Sequence, residues 1–84
     1  MVQSPDETIT MRVRLAGLVS EVVEADPMVL RCRRINFLDH GGVQLAVELI
    51  PSIRPRSRRA IARELELTIC RAVPALIWAR VGIY

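Results

Sequence analysis

The chain has 84 residues, 51% apolar and 4% aromatic, with 12 basic against 9 acidic side chains and a net charge of +3 at pH 7. That length holds one domain, 1–84, which buries only about 60% of its unfolded surface; the aliphatic content excludes a disordered chain. No run approaches the roughly 18 apolar residues of a membrane helix, and the first residues lack the basic and apolar regions of a signal peptide, so a cytoplasmic location is expected.

The mean hydropathy of +0.28 is high for so small a body. One core cannot hide that much aliphatic surface, which predicts a second buried surface, most simply a homodimer face. All the basic residues are arginine. The surplus is mild for a nucleic-acid binder, and nucleic acid is not the expected partner. Cys32 and Cys70 are too few for a disulfide framework; two reduced thiols are expected, with a single bridge as the alternative.

Ser4-Pro5-Asp6-Glu7 reads as a capping box with proline in the first turn. Leu15, Leu18, Val19, Val22 and Val23 follow at helical spacing. Residues 8–15 also alternate with period two, the rival strand reading, but the specific start signal favours a helix. Asp26-Pro27 closes it. Met28 to Asn36 reads as a strand, Asp39-His40-Gly41-Gly42 as a turn, and Val43, Leu45, Val47 and Leu49 as the apolar face of a second strand. A helix over 54–73 follows, with Ala60, Ile61, Leu65, Thr68, Ile69 and Ala72 as its inner stripe; Arg56, Arg59, Arg63 and Glu66 lie mostly outside it. Pro74 ends the helix, and Ile77, Ala79, Val81 and Ile83 alternate with Trp78 and Arg80 in a last strand. The order α-β-β-α-β predicts an α+β two-layer sandwich, with both helices on one face of a three-stranded sheet and the other face open.

Catalytic chemistry finds no support. No serine–histidine–acid set, phosphate-cradling glycine loop or metal motif is present, so neither an enzyme nor a small-molecule substrate is expected. The weak metal candidates are Asp39 and His40 in the glycine turn and Cys32 and Cys70, whose spacing follows no zinc pattern. Arg54, Arg56, Arg58, Arg59 and Arg63 cluster at the start of the second helix. They read first as a solvated face partly paired with Glu66, and alternatively as an anion or nucleic-acid site. Trp78 reads as a packing residue or an interface anchor.

Several short pieces resemble the cytoplasmic C-terminal domain of the cation diffusion facilitator family of metal transporters. Leu30-Arg31-Cys32-Arg33 resembles its first strand, Val43 to Glu48 its second, Arg58 to Glu66 its second helix, and Val73-Pro74 the residues before its last strand. The resemblance implies a ferredoxin-like, metallochaperone-like homodimer tied to metal homeostasis, with a membrane metal transporter as possible partner. It also implies either an excised piece or a stand-alone version of the domain. In the family, divalent metal of the zinc type sits at the dimer interface. Carried over position by position, its ligands fall on Ala46, Arg59, Val81 and Ile83, and on Met28 or Pro27. These are poor ligands, and Arg59 repels a cation. No resident metal is therefore expected. If Ala46, Val81 and Ile83 lie on the open sheet face, that face is aliphatic and, with Trp78, forms the expected dimer interface.

Overall fold

Prolines set the helix starts. Pro55 follows Arg54, which is extended (φ −67°, ψ 145°) as a residue before proline must be. The computed structural model describes the backbone of residues 5–84 and the side chains of residues 10–84. Its elements are α1 (Pro5–Glu24), β1 (Val29–Leu38), β2 (Gly42–Leu49), α2 (Pro55–Ala72) and β3 (Trp78–Ile83). Residues 8–15 are helical despite their alternation; the capping box at Ser4 and Glu7 lies outside the described residues. At the other end of α2, Val73 leaves the helix ahead of Pro74, its N–H still donating to the Ile69 carbonyl at 2.9 Å.

The sheet runs β1-β2-β3, with β2 in the centre. β1 pairs with it antiparallel and β3 parallel, the crossover being α2. Two bulges interrupt β1, between Val29 and Arg31 and between Cys32 and Arg34. The hairpin tip places His40 (φ 64°) and Gly41 (φ 73°) in the left-handed region, where glycine is strain-free.

One core fills the space between the sheet and both helices. It takes Val43, Leu45, Val47 and Leu49 from β2, Val19 and Val23 from α1, Ala62, Leu65 and Ile69 from α2, and Val81 from β3. The fold is thus the expected α+β two-layer sandwich with one face of the sheet open. The stripe on α2 differs in phase from the sequence expectation. Ala62 is buried, while Ala60, Thr68 and Ala72 are exposed. Thr68 turns away and donates its hydroxyl to the Glu64 carbonyl at 2.8 Å.

A helix glutamate guards each outer strand. The Val81 N–H donates to Glu66 Oε2 at 2.9 Å, and the Cys32 N–H donates to Glu24 Oε1 at 3.3 Å. Unpaired edge N–H groups invite pairing with another chain, and these carboxylates occupy them. Glu66 therefore serves β3 and forms no ion pair among the described residues, correcting its expected pairing with the α2 arginines. Glu66→Ala is expected to lower the unfolding free energy by about 1–2 kcal/mol, because a part-buried donor loses a charged acceptor. Glu66→Gln, which keeps an acceptor, is expected to lose less; urea titration followed by circular dichroism reads both.

Candidate functional site

Alternation along the strands fixes what the open face presents. With Val43, Leu45 and Val47 facing the helices, Gly42, Gln44, Ala46 and Glu48 face outward. The register then sets four rows across the sheet. Leu38, Gly42 and Trp78 form one end; Asn36, Gln44 and Arg80 come next, then Arg34, Ala46 and Gly82. Arg31 and Glu48 form the other end, near Tyr84, whose N–H donates to the Val47 carbonyl at 2.8 Å.

Each end has its own packing. The Trp78 indole lies over Gly42, where a Cβ would overlap its Cε2 and Cζ2 atoms. At the far end Arg31 Nε lies 3.2 Å and Arg33 Nε 3.8 Å from Glu48 Oε2. The Arg33 guanidinium also sits 4.4 Å from the centroid of the Tyr84 ring, a cation–π contact. Hydrogen bonding to Tyr84, more than the nearby Glu48 charge, raises the Arg33 pKa above its ordinary value. The bulge before Arg34 lets two successive arginines serve the same face. Between the ends lies a shallow pocket of about 230 Å³, lined by Arg34, Asn36, Gln44, Ala46, Arg80 and Gly82.

The face is therefore cationic and polar, not aliphatic. The structure separates the residues expected to share it. Ala46 and Trp78 lie on the open face, but β3 presents Ala79, Val81 and Ile83 to the helices. Val81 is 7% exposed and Ile83 packs against the core. The reason is the parallel register, which sets Val81 beside Leu45 and Ile83 beside Val47. Arg59 is exposed on α2, in the helix layer, so Ala46 and Arg59 lie on opposite sides of the sheet. The four positions that the resemblance assigns to metal do not form one set within this chain.

The weak metal candidates also stay apart. Asp39 and His40 are exposed at the hairpin tip, and Cys32 and Cys70 are free, half-buried thiols on β1 and α2. Burial, and secondarily the Glu24 charge, raises the Cys32 pKa above its ordinary value. Among the described residues no three of His, Cys, Asp or Glu converge in a way that could hold a metal ion. Of the α2 cluster, Arg54, Arg56, Arg59 and Arg63 are exposed and Arg58 is half-buried. Arg34, Asn36, Gln44 and Arg80 escaped sequence reasoning. The alternation of β2 marked Gln44 as outward, but only the bulge and the parallel pairing set the other three beside it.

A small α/β sandwich with two helices on one side of a mixed sheet is the class this arrangement defines. Among solved structures it is similar to C-terminal domains of MamM, a cation diffusion facilitator. A variant with one histidine replaced by glutamate is 10% identical, covers 89% of this chain and 95% of that one, and superposes with a TM-score of 0.79. The cadmium form of another variant is 11% identical over 84% and 92%, with a TM-score of 0.74. The nickel form of a third matches with the same identity and TM-score over 84% and 94%. The chain thus has the fold of a cation diffusion facilitator C-terminal domain, as its sequence pieces suggested. No family model matches it, and no curated protein is significantly similar in sequence. Among the described residues no helix is long and apolar enough to cross a membrane.

Proposed function

We propose that this chain is a self-associating regulatory domain of the cation diffusion facilitator type whose pairing does not depend on a bound metal. One observation carries the reading. Over 84% of its length the chain superposes on domains solved in nickel and cadmium forms, while the positions to which the sequence resemblance assigns ligands hold Ala46, Arg59, Val81 and Ile83. A copy approaching through the open sheet face would set Arg31, Arg33, Arg34 and Arg80 against their counterparts, an unfavourable like-charge contact. α1 offers the better surface, because Met11 and Leu18, seven residues apart on one side of the helix, are about half exposed, at 51% and 47%. Covering them stabilises a pair by roughly 25 cal/mol per Å² before association costs.

Sedimentation velocity tests the reading. A dimer indifferent to chelator and to added zinc, cadmium or nickel is expected, and Leu18→Glu is expected to dissociate it. A monomer that pairs only when metal is added would refute the proposal.

A further inference from the structure

The pocket at the centre of the open sheet face has no part in that reading, and its chemistry is specific. We propose that it binds the phosphate group of a small soluble molecule, held between Arg34 and Arg80 over a floor made by Ala46 and Gly82, with Asn36 and Gln44 as amide donors.

Charge is the first argument. Glu48 is the acidic residue of this face, and Arg31 and Arg33 already engage it. Arg34 and Arg80 have no acidic partner among the described residues. Two unpaired guanidinium groups match a phosphate group, which carries about −1.5 to −2 at neutral pH. Their planar forks also fit its oxygens in pairs.

Placement is the second argument. β1 and β3 flank β2 and Arg80 stands one row from Arg34, so the two arginine backbones are about 12 Å apart on the diagonal and their long arms can converge on a group above the middle strand. Asn36 and Gln44 share the row of Arg80, beside the row of Arg34. The floor is kept low: Gly82 sits beside Ala46, with no positive φ, and a Cβ there would meet nothing closer than the Leu45 carbonyl oxygen at 3.7 Å. The backbone therefore does not demand glycine at this position, and its missing side chain leaves the pocket its depth. A volume of about 230 Å³ suits a phosphate group with a few attached atoms.

Inorganic phosphate is the probe, titrated at low ionic strength and followed by amide shifts in nitrogen-15 NMR spectra. Shifts centred on Arg34, Ala46, Arg80 and Gly82 are expected, with tighter binding at about pH 8 than at about pH 5.5, where the ligand loses charge. Arg34→Gln with Arg80→Gln is expected to weaken binding at least 10-fold. Both side chains are exposed, so the fold should survive, and unchanged amide shifts in the core check this. Gly82→Leu, which fills the floor, should abolish binding while leaving both charges in place. Shifts confined to Arg54–Arg63, or none at millimolar phosphate, overturn the proposal. Arginine-dependent retention on phosphatidic acid vesicles without a response to free phosphate overturns it in favour of a lipid surface. Tighter binding of a thymidine decamer through the same arginines overturns it in favour of nucleic acid.

Discussion

Leu65→Ala is expected to lower the unfolding free energy by about 3–5 kcal/mol, the range for truncating a fully enclosed leucine. Leu65 is 2% exposed and sits mid-way along α2 between Ala62 and Ile69, in the core shared with β2 and α1. Its loss leaves a cavity where both layers meet, and a sandwich this thin has little material to collapse into it. The total stability of a domain of this size is about 4–13 kcal/mol, so the variant approaches global unfolding. Each kcal/mol corresponds to about 4–8 °C of Tm, so a fall of about 12 °C or more is expected in a thermal scan. Leu67, two residues along the same helix, is 58% exposed. Leu67→Ala should shift the midpoint by no more than about 0.5 kcal/mol. Equal losses at the two positions would mean that α2 faces the sheet on a different side.

This contrast marks where sequence reasoning reached its limit. The order of elements was legible because each boundary carries local chemistry: Pro27, Pro55 and Pro74 stop or start elements, and glycine stands at the hairpin tip. The inner face of β2 was legible because Val43, Leu45, Val47 and Leu49 alternate without interruption. The phase of α2 was not, because Ala60, Ala62 and Ala72 are alike to any pattern count, and only packing against the sheet selects Ala62. β3 gave no better guide. Ile77, Ala79, Val81 and Ile83 are apolar whichever way they face, and the resemblance to relatives suggested that Val81 and Ile83 looked outward with Ala46. The parallel register with β2 decides otherwise. The open face followed the same logic. Its arginines come from two strands with unlike spacing, one of them bulged, and no single stretch of sequence displays them together.

Val81→His puts this orientation to the sharpest test, because the resemblance assigns a ligand histidine to that position. Val81 lies among aliphatic side chains, and the core contains no buried polar side chain among the described residues. A histidine there is larger than valine, and its one polar neighbour, the Glu66 carboxylate, already accepts from the Val81 N–H, so at least one ring nitrogen stays unpaired. The overpacking costs about 1–3 kcal/mol and the unsatisfied polar group about 1–3 kcal/mol more. A loss of about 3–4 kcal/mol is therefore expected at neutral pH. Zinc should restore nothing, since the Glu66 carboxylate beside it adds at most one further donor and a structural zinc takes four. Ala46→His is the control, as Ala46 lies on the open face across the sheet, where an imidazole reaches solvent. Its cost should stay below about 1 kcal/mol. If zinc raised the Tm of the Val81 variant by stabilising the folded state, or if both substitutions were equally mild, β3 would have to present Val81 outward. The charged, ligand-free reading of the open face would then fall with it.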